Sequence, residues 1–290
     1  MQFVSTAFSV LYQFGDAFAF LVIASAGLAV IFGMMGVINL AHGEFIMCGA
    51  YVTASVARAG IPLPLAILSG ALVAGMIGVV LELLVIRRLY GRPLDSIVAT
   101  WGVSLIATQG VLIVLGSTMQ GVGTPLGSVA VGALTYSVYR LVLMAAALTL
   151  LVGLYLLFYR TRYGVIARAT IQRPDMARAL GVDTGRIYAL TFGLGAALAG
   201  LAGGLYAPTM TMVPTMGATF IVESFVTVVV GGADIFLGAA PAAAILALIR
   251  SGLTAWQGQF FGQIGLLIAV ILVIRILPGG LSGWLLRTRR

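Results

Sequence analysis

The sequence predicts an all-α, polytopic integral membrane protein with about eight to ten transmembrane helices, some of them broken. Three observations predict it. Hydrophobic residues make up 61% of the chain and charged residues only 8%, a balance that soluble domains do not keep. Apolar runs of about twenty residues, each able to cross a hydrocarbon core, recur from end to end. The few polar tracts fall between or within those runs, as turns or breaks. With 290 residues used in this way, little remains for a soluble domain, and residues 1–290 read as one membrane domain.

Taken in order, an amphipathic lead-in precedes a first span at 15–38. The tract NLAHGE (39–44) interrupts it, and a short second span follows at 44–59. Ile61-Pro62-Leu63-Pro64 makes a turn into 64–86, which ends on Arg87 and Arg88. A fourth span is expected at 96–116, a Gly/Thr/Ser-rich loop at 117–133 and a fifth span at 136–158. A sixth covers 187–207, and Pro208 to Met216 forms a loop. Short apolar segments at 218–231 and 236–254 flank GGAD, and a last span at 259–276 leads to the tail RTRR. The N-terminus lacks a basic region and a cleavage pattern, so no removable signal peptide is expected.

The net charge of +8 is no sign of nucleic-acid binding, because the arginines sit between apolar segments, where orientation signals belong. If the long loop 160–186 faces the cytoplasm, Arg87, Arg88, Arg92, Arg160, Arg162, Arg168, Arg173, Arg178, Arg186, Arg275, Arg287, Arg289 and Arg290 fall at the inner face. Only Arg58, Arg140 and Arg250 fall outside. That orientation puts the C-terminus in the cytoplasm. The single cysteine, Cys48, excludes an internal disulfide and offers no metal cluster.

Three stretches carry candidate function. In the polar run 160–186, Pro174 suits a first helical position, Asp175 the first turn and Gly181 a stop. Met176, Ala177 and Leu180 share one face at helical spacing. The run is either an ordinary basic loop or a docking helix for a cytoplasmic partner. In GLGAALAGLAGG (193–204), Gly195, Ala199 and Gly203 form one ridge, and Ala196, Gly200 and Gly204 its neighbour, so other backbones can approach closely. The third is Asn39, His42 and Glu44, polar groups at membrane depth beside glycines. They form either a hydrogen-bonded turn or part of a solute path through a broken helix. A weaker second break, GGADIFLGAAPA (231–242), places Asp234 either in that path or as a cap. Glu82, near Arg87 and Arg88, reads as an ordinary neighbour of the inner face.

Together, GLAVIFGMMGVINLAHGEFIMCGAYV (27–52) and RATIQRPDMARALGVDTGRIYALTFGLGAALAGLAGGL (168–205) resemble the permease subunits of branched-chain amino acid ABC importers, the LIV type. GGADIFLGAAPAA and LPGGLSG (277–283) resemble weaker blocks of that family, and the tail departs from it at Leu277 and Ser282. The resemblance implies a subunit of the bacterial inner membrane that imports hydrophobic amino acids. Its implied partners are a second, homologous permease, two cytoplasmic ATPase subunits and a periplasmic solute-binding protein, within membrane lipid. It also implies that Arg168 to Val182 is the coupling segment, with Arg168, Pro174, Asp175, Ala177, Leu180 and Gly181 in it. ATP would bind to the partners, because the chain has no GxxxxGK[ST] phosphate cradle and no cofactor site of its own. Urea or short amides are alternative substrates. A passive small-solute channel is a further alternative, but it has no use for so long a polar loop. An enzyme using His42 and Glu44 lacks a nucleophile or metal cluster to work with.

Overall fold

The computed structural model describes residues 2–131, 134–232, 234–277 and 279–287. Its elements are α1 (Gln2–Met35), α2 (His42–Arg58), α3 (Leu63–Leu84), a 3₁₀ turn (Ile86–Leu89) and α4 (Pro93–Leu115). A hairpin of β1 (Ser128–Val131) and β2 (Leu134–Ser137) leads into α5 (Val138–Arg160). Then follow α6 (Arg162–Gln172), α7 (Pro174–Ala179), α8 (Thr184–Tyr206), α9 (Met216–Gly231), α10 (Ala240–Gln257), α11 (Gln259–Ile276) and α12 (Gly280–Arg287). Six of these stretches are long and apolar enough to cross a membrane: Phe8–Met35, Leu63–Leu84, Pro93–Leu115, Val138–Arg160, Thr184–Thr209 and Gln259–Gly283. The remaining expected spans are the shorter helices α2, α9 and α10. Of the arginines expected at the inner face, Arg289 and Arg290 lie outside the described residues, as does Ala233 in the second break.

Two elements differ from the sequence reading. The segment 117–133 is not all loop: its end forms the antiparallel ladder Ser128↔Ser137, Val129↔Tyr136, Ala130↔Thr135. Four-residue strands give too short an alternation to stand out in an apolar chain. The polar run 160–186 holds two helices rather than one, because Thr161 caps α6 by accepting a hydrogen bond from Gly164 N–H (3.1 Å).

The chain divides into two compact units. One comprises 24–123 and 153–224, and α8 is its spine. The helix presents small residues on several sides, and each side takes a different neighbour. A methyl group added at Gly195 would meet Ile31 and the Gly27 carbonyl of α1. One added at Gly203 would strike the Ile46 carbonyl of α2, and one at Gly200 would lie 2.5 Å from Ala74 Cβ and 2.8 Å from the Gly70 carbonyl of α3. At Gly204 it would meet Thr53 Oγ1 at 2.7 Å and Ile67 of α3. The α3 contacts run antiparallel, with Ile67 beside Gly204, Ala74 beside Gly200 and Val79 beside Gly193. Side chains of any size would hold these backbones apart.

The other unit comprises 1–23, 124–152 and 225–290. Gly258, at φ +95°, reverses the chain between α10 and α11. Gly262 and Gly265 then let α11 lie against Thr254 and Leu253 of α10. Asp16 pairs with Arg140, and Arg250 lies over the Phe20 ring at 5.8 Å. The hairpin is anchored here as well, since Tyr136 is buried against Phe8 and Tyr12. Tyr12 donates its hydroxyl to Ser137 O at 3.0 Å.

Gly203→Val should drive a branched side chain into the Ile46 carbonyl, at a cost of at least about 1–3 kcal/mol. A lowered melting temperature of the detergent-purified protein is the expected result. Gly252→Ala, where a methyl meets open space, should leave it unchanged or slightly higher.

Candidate functional site

The break between α1 and α2 gathers three of the polar residues singled out above. Helix α1 stops at Met35, and Gly36 at φ +64° turns the chain back. Residues 37–41 then return to the level of Ala24 and Gly27, where α2 begins. Asn39, fully buried, accepts from Ala41 N–H through Oδ1 at 3.0 Å, so its side chain does the work of a missing helix cap. His42, also fully buried, donates from Nε2 to the Ala24 carbonyl at 3.0 Å. That bond puts a proton on Nε2 and leaves Nδ1 without a hydrogen-bond partner among the described residues. Glu44, in the first turn of α2, accepts from Ser104 Oγ of α4 at 2.8 Å through Oε1. Its Oε2 is buried and without a partner among the described residues.

Helix α4 supplies a polar stripe that sequence reasoning missed. Ser96, Thr100, Ser104 and Thr108 recur every four residues and so share one face. Thr100 Oγ1 accepts from Leu40 N–H at 3.1 Å, satisfying a backbone donor that the break frees. Ser104 holds Glu44, and Thr108 stands beside the same carboxylate. The signal was present: four small hydroxyls at helical spacing in an otherwise apolar span. Beyond Glu44 lies a pocket of about 420 Å³, walled by Met47 and Cys48 of α2, Ile77 and Leu81 of α3, and Ala107 and Val111 of α4. Gly43 backs directly onto the Gly217 carbonyl of α9, where no side chain would fit.

Asp234 belongs to the other unit. Its Oδ1 accepts from Phe236 N–H at 2.8 Å, and its carbonyl accepts from the amides of Gly238 and Ala239, both at 3.0 Å. It thereby caps the single π turn Ile235–Ala239 that opens α10. Gly232, at φ +83°, packs against Ser282 and Gly279 of the tail segment.

The 160–186 run forms a two-helix platform. Arg168 stacks its guanidinium over the Tyr159 ring at 4.5 Å. Pro174 opens α7, and Asp175 pairs with Arg178 at 2.8 Å. Helix α7 ends in a Schellman arrangement: Val182 N–H to Ala177 O at 3.0 Å and Gly181 N–H to Arg178 O at 2.9 Å, with Gly181 at φ +83°. The expected apolar face is split. Ala177 is buried, at 5% exposure, and cannot present itself to a partner, whereas Met176 (65%) and Leu180 (84%) stand in the open. The six-residue helix lies on the protein with Ala177 underneath, while Ala179, equally small, faces outward.

Glu82 is no ordinary surface neighbour. It is fully buried, and its carboxylate accepts from Arg87 Nε (3.3 Å) and Nη2 (3.1 Å) and from the Tyr90 hydroxyl (2.5 Å). Burial, and next the bond to Glu82, push the Tyr90 hydroxyl well above the usual phenol range, so it remains a donor. Arg87 Nη2 also donates to Gly185 O at the start of α8, at 3.1 Å.

The chain thus folds as a polytopic membrane protein with a broken helix beside the spine, a hydroxyl stripe facing the break and a two-helix polar platform. The profile of the family described as "Branched-chain amino acid transport system / permease component" matches residues 10–277. The chain belongs to that family. It is 29% identical to the "Probable branched-chain amino acid transport permease protein LivH" of Methanocaldococcus jannaschii over 91% of this chain and 88% of that protein. It is 27% identical to the "High-affinity branched-chain amino acid transport system permease protein BraD" of Pseudomonas aeruginosa, over 93% of this chain and 92% of the relative. The same identity and coverage hold for LivH of Escherichia coli K12, which carries the corresponding description. No solved structure matches.

Thr100→Val should orphan the Leu40 amide at a cost of about 1–3 kcal/mol, read as a lower melting temperature. Thr100→Ser should restore it.

Proposed function

We propose that this chain is a membrane-spanning subunit of an ATP-driven importer for branched-chain, hydrophobic amino acids, with hydrolysis carried out by separate ATPase subunits. The observation that carries the reading is the family match across residues 10–277, together with relatives whose names state that transport. The platform supports the ATP-driven part. Val165 of α6, Met176 of α7 and the cap residue Leu180 are exposed apolar side chains among arginines, a surface suited to a partner protein. On this reading the platform faces the cytoplasm, as the concentration of arginine in 160–186 favours, and so does the C-terminus. A second permease and a solute-binding protein complete the assembly. Asn39, His42, Glu44 and the hydroxyl stripe of α4 sit beside the solute path, with Asn39 and Glu44 holding the break in shape.

Reconstitution with the second permease, the ATPase subunits and the solute-binding protein tests this. Leucine uptake that requires ATP hydrolysis is expected. Uptake running at the same rate without ATP would make the chain a channel, and ATP-driven uptake of urea or acetamide in place of leucine would move the substrate class.

Leu180→Asp should release the ATPase subunits on purification and abolish uptake while the permease remains folded. Ala177→Asp, by contrast, should lower the melting temperature of the permease itself. In a Cys48→Ala background, Thr184→Cys should be shielded from an impermeant thiol reagent applied to intact cells and Thr124→Cys should react. The opposite pattern would reverse the orientation.

A further inference from the structure

We propose that Glu82 and Arg87 form the joint through which a displacement of the α6–α7 platform enters the α3–α8 helix pair, and are thus positioning residues for transport. The inference rests on the reading of that platform as an ATPase-docking surface.

The carboxylate of Glu82 lies at the end of α3, fully buried, and receives three hydrogen bonds from two side chains of the connector that follows. A carboxylate so occupied has one geometry available to it, and a planar guanidinium serving two acceptors is equally fixed. Arg87 makes a third donation, from Nη2 to Gly185 O, in the first turn of α8. This ties the α3–α4 connector to a helix nearly one hundred residues further along the chain. Tyr90 adds a ring contact to Tyr188 at 5.0 Å, one turn into α8.

Further along, α8 is held by the platform, through Tyr163 of α6 and Thr191, whose hydroxyls lie 2.8 Å apart. Four residues, 180–183, join α7 to α8. They have little slack, because Gly181 and Val182 close the Schellman turn and Asp183 caps α8 by accepting from Arg186 N–H at 3.1 Å. A push on α7 therefore arrives at Gly185. There, Arg87 passes it to Glu82 and so to α3. The glycine-backed contact from Val79–Gly193 to Ile67–Gly204 then obliges α3 and α8 to move together. Without the joint, the first turn of α8, which precedes that contact, could tilt while α3 stayed in place.

The test uses the complete transporter in proteoliposomes and compares Glu82→Gln, Arg87→Lys and Tyr90→Phe with the unaltered protein. Two rates are read, ATP hydrolysis and solute import, along with the melting temperature of the complex and amide exchange over Thr184–Tyr188. For Glu82→Gln, hydrolysis should persist while solute imported per ATP falls on the order of tenfold, and exchange in the first turn of α8 should quicken. Arg87→Lys should show a smaller fall, because an ammonium keeps the charge and loses the fork. Unchanged import per ATP in all three variants overturns the proposal. So does a parallel fall in hydrolysis and import together with a lower melting temperature, which is what a purely structural ion pair gives. If Glu82→Gln does not assemble, Tyr90→Phe decides by the same ratio, since it removes one hydrogen bond and keeps the ring on Tyr188. Absence of ATP-driven import in the unaltered complex would overturn the docking reading, and this inference with it. Normal import there with unaffected variants would overturn this inference alone.

Discussion

The close approach of backbones along α8 is the constraint on which the other features depend. In lipid, helices gain little from hiding apolar side chains, because the surrounding solvent is equally apolar, so packing and polar contacts must hold them together. Each atom pair at optimal distance contributes only about 0.1–0.2 kcal/mol, and many pairs are needed. Helix α8 obtains them by showing Gly195 to α1, Gly203 to α2 and Gly200 to α3. Three partners at glycine distance fix its rotation about its own axis, since turning it would bring a larger residue against at least one of them.

That fixed spine makes a broken helix tolerable. Backbone groups freed at membrane depth must be satisfied from within the protein. Here they and the Glu44 carboxylate are met by short side chains, one within the break and two on α4. Asn39 bonds the Ala41 amide, Thr100 the Leu40 amide, and Ser104 the Glu44 carboxylate. Gly43 can sit on the Gly217 carbonyl because it has no side chain. His42 reaches Ala24 O because α1 lies against α8 at Gly27 and Gly195. The polar groups do not create the packing; they occupy places that the packing leaves.

What could be read from the residues alone was what local spacing determines. The two small-residue ridges of 193–204 and the start and stop of α7 follow from i, i+4 repetition and from proline and glycine chemistry, and the structure has both features. Asn39, His42 and Glu44 were visible as polar groups in a greasy stretch, although which atoms they bond depends on α1 and α4, far away in sequence. The stripe Ser96, Thr100, Ser104 and Thr108 was legible in principle, because its period is helical. Glu82 was not. Arg87 and Arg88 nearby suggested a solvated end, and only Tyr90 folding back and Gly185 arriving from elsewhere turn it into a buried acceptor. Ala177 shows the same limit at smaller scale, since six residues carry too little pattern to reveal which side of a helix lies underneath.

Helices α3 and α8 run antiparallel in one register, backbone against backbone. Cysteines replacing Gly75 and Ala197, in a Cys48→Ala background, measure it most directly, because a Cβ at position 75 lies 3.0 Å from Ala197 Cβ. Mild oxidation in native membranes should cross-link the pair nearly completely. A partner cysteine placed instead at Leu72, which is exposed, should not cross-link to position 197. Cross-linking from 72 with none from 75 would contradict that register and the fixed rotation of α8.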